Sequence, residues 1–271
     1  MTFMTVLIIF IFGLCIGSFL NCLVWRLNQK KTISGRSICP KCKQKISWYD
    51  NIPLLSFIIL GGKCRHCRKS ISWQYPIVEL VTGILFVLVA LVSFQFPVSQ
   101  FLSFSVSSLQ LSIPTIVKFF RNLTFVSVLI TIFVYDLRWY LILDKVTMPA
   151  MVVALFINLY LGFSFFNLLL ATVISGGFFL LQFLISKGKW IGGGDIRLGA
   201  LMGLMLGFPN ILVALMIAYI LGSIVGIGLI LNKKKKWQSQ IPFGTFLSMA
   251  TVIALLWGEQ IMHWYLSISL Y

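Results

Sequence analysis

Only six acidic side chains occur in 271 residues: Asp50, Glu79, Asp136, Asp144, Asp195 and Glu259. Most of the chain is apolar, and a carboxylate beside hydrocarbon is costly, so acids at such boundaries are candidates for function. Asp195 follows three glycines in "WIGGGDIRLGALMG" (Trp190–Gly203), and Asp136 opens "DLRWYLILD". Two facing carboxylates sharing one proton are the equipment of an aspartic peptidase. One activates water, the other protonates the leaving group, and neither a metal nor a covalent intermediate is required. Gly192, Gly193 and Gly194 would give Asp195 a backbone free to take unusual dihedrals and leave room for an extended peptide. The helix ends suggest a division of roles. Asp195 starts a helix, where the macrodipole favours the anion, so it is expected to be the base. Asp136 ends one, so it is expected to be the acid.

A second set of reactive side chains is "CPKC" (Cys39, Cys42) and "CRHC" (Cys64, Cys67), with 21 residues between the pairs. Two such knuckles suit four-thiolate coordination of a structural Zn2+, one residue beyond the usual spacing. A redox pair or bare thiols are the alternatives. His66 reads as a solvated loop residue, and Cys15 and Cys22 as small packing residues.

These groups need elements to hold them. The chain is 59% hydrophobic and 10% charged, a composition of multi-pass membrane proteins. The expected fold is all-α, with about eight transmembrane helices near 3–25, 76–95, 118–136, 147–163, 167–186, 196–208, 210–231 and 242–264, and a small cytoplasmic zinc-binding-like loop. The expected domains are a first helix (1–27), the cysteine domain (28–75), a second helix with an extracytoplasmic loop (76–115), and a six-helix peptidase domain (116–271). The first helix lacks a basic start and is followed by Arg26, Lys30 and Lys31, so it reads as retained.

Of 22 Lys and Arg, 20 fall on one side of the eight-span arrangement; only Lys118 and Arg121 fall on the other. That side is expected to be cytoplasmic, with both termini extracytoplasmic. Lys233–Lys236 reads as a topology anchor. The excess charge of +16 sits in short loops between apolar runs, which argues against nucleic acid as a partner and for membrane lipids. The third span ends at Asp136 and the sixth begins after Asp195, so both carboxylates reach one membrane face. Gly199, Gly203 and Gly207 would let a neighbouring helix approach closely. The rival readings are an ion or metal transporter, which needs polar residues deep within several spans, and a membrane scaffold, to which both aspartates would be dispensable.

The motifs carry a resemblance. "GSFLNCLVWRL" (Gly17–Leu27), the cysteine segment through "YPIVEL" (Cys39–Leu80), "DLRWYLILD" (Asp136–Asp144) and "GGGD" (Gly192–Asp195) resemble the type IV prepilin peptidases, the prepilin leader peptidase/N-methyltransferases, over nearly the full length. The GxGD aspartate is shared with presenilin-like proteases. The resemblance implies cleavage of the short basic leader of type IV prepilins or pseudopilins after a glycine, at the cytoplasmic face of the bacterial cytoplasmic membrane. In bifunctional members, N-methylation of the new N-terminus with S-adenosylmethionine follows; a peptidase without methyl transfer is the alternative. Asp136 and Asp195 become the catalytic pair, and Asp144 a structural residue, a helix cap. Leu143 stands where the family usually has Pro. Asn21, Arg26, Asn51 and Glu79 fall on motif positions. Glu79 is a candidate for the methyltransferase site, with a carboxylate paired to a nearby Lys or Arg as the alternative. Composition suits a Gram-positive cell processing competence pseudopilins; a Gram-negative pilus or secretion system stays open.

Overall fold

A computed structural model describes residues 3–94, 112–231 and 242–269. The Ser- and Phe-rich segment at 96–111 and the Lys233–Lys236 run lie outside the described residues. The described chain is helical: α1 (Phe3–Asn28), α2 (Leu55–Ile59), α3 (Gln74–Ser93), α4 (Ile113–Trp139), α5 (Asp144–Tyr160), α6 (Phe165–Ser186), α7 (Gly193–Leu206), α8 (Asn210–Leu231) and α9 (Phe243–Ser269), with a 3-10 turn at Trp48–Asn51. A helix stands at each of the eight expected spans, its ends shifted by five residues at most. Six of them, α1, α3, α4, α6, α8 and α9, are long and apolar enough to cross a membrane. At 17 and 14 residues, α5 and α7 are only about 25 and 21 Å long, short of a hydrocarbon core about 30 Å thick.

The pairings between helices are compatible with all eight crossing. Asp144 at the start of α5 is ion-paired to Arg197 at the start of α7. Near their other ends, Asn158 donates to the Leu204 carbonyl at 2.6 Å. The two short helices therefore run in the same direction. If only the six long helices crossed, the starts of α5 and α7 would face opposite sides of the membrane, and the Asp144–Arg197 pair could not form.

The chain divides into two compact units, Met1–Leu123 and Thr124–Tyr271. In the first, α1 and α3 pack at backbone distance. A Cβ on Gly13 would lie 2.8 Å from the Gly83 Cα, and one on Gly17 would lie 2.7 Å from the Glu79 Cα. In the second, α7 is enclosed by α5, α6, α8 and α9. Its glycine stripe meets α6: a Cβ on Gly203 would lie 2.6 Å from the Thr172 Cα, and one on Gly199 2.4 Å from the Phe179 ring. Ser175 seals this seam by donating to the Gly199 carbonyl at 2.7 Å. A helix enclosed by protein does not depend on lipid along its whole length, so the 14 residues of α7 are compatible with a crossing.

Candidate active site

Asp136 lies in the last turn of α4 and is only 4% exposed. Its Oδ2 accepts the Thr245 N–H at 2.9 Å, and the Gly244 N–H also bonds the carboxylate. Both donors belong to the first turn of α9, whose N–H groups have no partner within their own helix. Asp195 is the third residue of α7. Its Oδ2 accepts the Gly192 N–H at 3.1 Å, and its own N–H returns to the Gly192 carbonyl at 3.1 Å. The two carboxylates are near enough for the charge of Asp136 to act on Asp195.

This geometry corrects the division of roles drawn from the helix ends. Asp136 ends α4, yet it faces the N-terminus of α9, so a helix N-terminus serves each carboxylate. The ends no longer distinguish acid from base.

The glycine triplet also works differently from expectation. None of Gly192, Gly193 and Gly194 has a positive φ, so unusual dihedrals are not what the triplet supplies. Gly194 sits in a tight place: a Cβ there would lie 3.0 Å from the Ile142 Cβ, so that side chain would have to give way. The same side chain crowds Gly244, where a Cβ would lie 3.0 Å from the Ile142 Cδ1 and 2.9 Å from the Asp136 Oδ2. Ile142 is thus wedged between the starts of α7 and α9. Gly193 faces open space, with nothing within 4 Å of where its Cβ would be.

Asp144 is exposed and heads α5 without a side-chain capping bond; the expected cap is instead the ion pair to Arg197. Leu143 precedes the helix in an extended conformation, φ −86°, close to the range that proline would impose.

Sequence reasoning passed over Gly244, Thr245 and Ile142. The visible signal was "IPFGT" at the start of the last span, a proline and a glycine where a helix begins. Nearby, Tyr219 pairs with Gln182 at 2.8 Å and packs edge-on to Phe178 and Phe243.

The cysteines form one cluster, with all four Sγ atoms within 4.8 Å of one another. A tetrahedral Zn2+ with bonds of about 2.3 Å sets its sulfurs about 3.8 Å apart, so the donor set fits the metal. The two knuckles repeat one backbone design. Lys43 N–H bonds the Cys39 carbonyl at 2.8 Å and Arg68 N–H the Cys64 carbonyl at 3.0 Å. Lys43 and Arg68 both adopt left-handed backbone, φ 58° and 57°. The Cys67 N–H, helped by that of His66, holds the Cys64 thiol down to about 7, toward the thiolate that metal binding requires. At Cys42 the Gln44 N–H is outweighed by burial and the neighbouring thiols, which push that thiol up to about 11.

Glu79 is buried and committed to protein. Its Oε2 accepts the Leu54 N–H at 2.9 Å, and Ser18 also bonds the carboxylate. Among the described residues it pairs with no Lys or Arg, so the ion pair weighed as the alternative for Glu79 is absent there. Asn21 donates to the Tyr75 carbonyl at 3.1 Å, and Arg26 donates to the carbonyls of Ile33, Gly35 and Arg36. Asn51 lies in the 3-10 turn.

Taken together, membrane helices bring two aspartates within electrostatic reach, and a four-cysteine loop precedes them. Two protein-family models match along the chain: Bacterial Peptidase A24 N-terminal domain at residues 11–93, and Type IV leader peptidase family at 123–227. Full-length relatives named prepilin leader peptidase/N-methyltransferase agree. One from Aeromonas salmonicida is 32% identical over 96% of this chain and 93% of its own. One from Bacillus subtilis is 30% identical over 97% and 98%, and one from Pseudomonas aeruginosa 27% over 97% and 94%. The chain belongs to the type IV leader peptidase family. No solved structure matches it significantly.

Proposed function

We propose that this chain is a bacterial inner-membrane aspartic endopeptidase that removes the leader of type IV prepilins or pseudopilins and then N-methylates the new N-terminus. The observation that carries the reading is the pair Asp136 and Asp195, each oriented by backbone N–H groups at a helix start and both inside the stretch that matches the leader peptidase family. One carboxylate takes a proton from water as the oxygen adds to the scissile carbonyl. The other gives its proton to the departing amine nitrogen as the C–N bond breaks, and the pair again holds one proton. Gly193, facing open space, leaves an approach for an extended peptide beside Asp195.

Cys39, Cys42, Cys64 and Cys67 would hold Zn2+, which when bound cross-links a loop that lacks an apolar core of its own. S-adenosylmethionine would supply the methyl group. The bonds of Glu79 to Leu54 and Ser18 favour a positioning role for it over direct contact with that donor. The aspartates and the cysteine loop lie at the cytoplasmic face on the strength of the Lys and Arg distribution, and both termini lie outside.

The test is mass spectrometry of a pseudopilin N-terminus after co-expression with wild type, Asp136→Asn, Asp195→Asn and Cys39→Ser/Cys42→Ser. Leader loss and a methyl mass that both require the aspartates support the bifunctional enzyme. Leader loss with no methyl mass, even for wild type, leaves the peptidase alone. Processing that survives both aspartate changes overturns the assignment and returns transport or scaffolding.

A further inference from the structure

The insert between α1 and α3 is hydrophilic except for one run, "IPLLSFIIL" (Ile52–Leu60), which holds no charge. It contains α2, and the side chains that α2 turns outward are uncovered. Ile58 is 72% exposed and Ile59 69%, flanked by Trp48 at 77% and Trp73 at 70%. Ile52 and Leu55 add to the same uncovered set. A cluster of large apolar side chains left open to water marks a surface that is buried by something else.

The hydrogen bonds say at what depth this surface lies. Glu79 is five residues past the start of α3 at Gln74, about 7.5 Å along the helix axis. Its carboxylate leans back toward the helix start, as side chains on a helix do, and accepts the Leu54 N–H. So α2 begins level with the first turns of a membrane helix, not out beyond it. The Phe57 ring lies 5.1 Å from that of Trp73, the residue just before α3. On the other side, Arg26 in the last turn of α1 draws the carbonyls of Ile33, Gly35 and Arg36 down to its own level. The start of the insert and α2 are thus both folded back to the boundary where the spans begin.

Charge points to the same occupant. From Lys30 to Lys69 the insert carries ten Lys and Arg and one acid, Asp50, which is bound to Arg65 at 2.7 Å. An apolar strip within a basic insert, with exposed tryptophans, has the composition of segments that lie in the plane of an anionic bilayer surface.

We propose that Ile52–Leu60 is an interfacial anchor. Leu55, Ile58 and Ile59 enter the acyl boundary of the leaflet, Trp48 and Trp73 sit at headgroup level, and the surrounding Lys and Arg engage anionic lipid. The anchor sets the height of the cysteine loop above the bilayer without crossing it.

The test places the photoreactive residue p-benzoylphenylalanine at Ile58 or Ile59 of the full chain, reconstituted in nanodiscs of phosphatidylglycerol and phosphatidylcholine. After irradiation, mass spectrometry is expected to find lipid adducts at both positions, about tenfold above the yield from the same probe at Lys43. Adding a prepilin should leave those yields unchanged. The unsubstituted chain answers the same question by hydroxyl-radical footprinting. Trp48 and Trp73 should be oxidised several-fold more slowly in discs than in the denatured chain. Lipid adducts no more abundant than at Lys43, or unshielded tryptophans, would overturn the anchor. Replacement of the lipid adducts by cross-links to the prepilin would reassign the surface to substrate docking.

Discussion

The two units of this molecule place their buried acids in different surroundings, although all three accept backbone N–H groups. In the first, side chains hold main chain. Arg26, Asn21 and Glu79 each bond to a loop or helix-start backbone group, so the polar residues of α1 and α3 fix where the insert lies. In the second, Asn158 and Ser175 also hold main chain, but at the two aspartates main chain holds side chains. The N–H groups of Gly192 and Thr245 fix where Asp195 and Asp136 point. A buried acid is therefore not one kind of evidence. Glu79, among loop and helix groups, has the surroundings of a clamp. Asp136 and Asp195, each gripped by backbone with the other close by, have those of a reactive pair.

The contrast is broken most severely at the aspartates. Asp136→Asn or Asp195→Asn is expected to lower leader cleavage by about 10³-fold or more, with the protein still present in the membrane. Residual cleavage within about tenfold of wild type would place both residues with Glu79 as structural. For Glu79 the matching change is Glu79→Gln, which keeps an acceptor for the Leu54 N–H. Methylation retained in Glu79→Gln but lost in Glu79→Ala marks a clamp; loss in both marks a need for the carboxylate itself.

A smaller effect is expected at Gly244. A methyl group there meets the Asp136 Oδ2 at 2.9 Å. Gly244→Ala should therefore lower cleavage by about 10- to 100-fold through misplacement alone, with helix content unchanged. Gly193→Ala, which adds its methyl to open space, should cost less than about threefold. Equal effects at both positions would remove the argument that backbone geometry orients Asp136.

In the first unit, Cys39→Ser/Cys42→Ser is expected to abolish one equivalent of zinc by elemental analysis and to make the insert sensitive to proteolysis. A full complement of zinc in that variant would discard the four-thiolate site. The smallest expected effect is at Asp144→Ala. An exposed pair such as Asp144–Arg197 contributes less than about 1 kcal/mol, so thermal unfolding should shift little and cleavage persist.

The sequence disclosed the parts of this arrangement that are carried by side-chain type. Six acids in a long apolar chain isolate Asp136 and Asp195 quickly, and paired CxxC spacings isolate the knuckles. The glycine stripe was legible as a packing surface, but its partner was not. Nothing in Gly199 and Gly203 says that α6, through Thr172, Ser175 and Phe179, lies against them. The first turn of α9 was missed for a physical reason. Gly244 and Thr245 act on Asp136 through N–H groups that every non-proline residue has, so no residue type advertises them. Gly192–Gly194 misled in a related way. A glycine kept for want of space and one kept for backbone freedom look alike in a sequence, and only the position of Ile142 separates them. The run Ile52–Leu60 was hidden by averaging, nine uncharged residues inside an otherwise basic and polar insert.

The hydrogen bond from Thr245 to Asp136 joins positions 109 residues apart, and its donor belongs to the last helix. It has a consequence for biosynthesis. A nascent chain halted after α8 already contains both aspartates, the glycine triplet and the cysteine knuckles, but not the turn that sets Asp136. On the proposed mechanism, a chain halted there is expected to cleave poorly, and its chemistry to begin when the final helix enters the membrane.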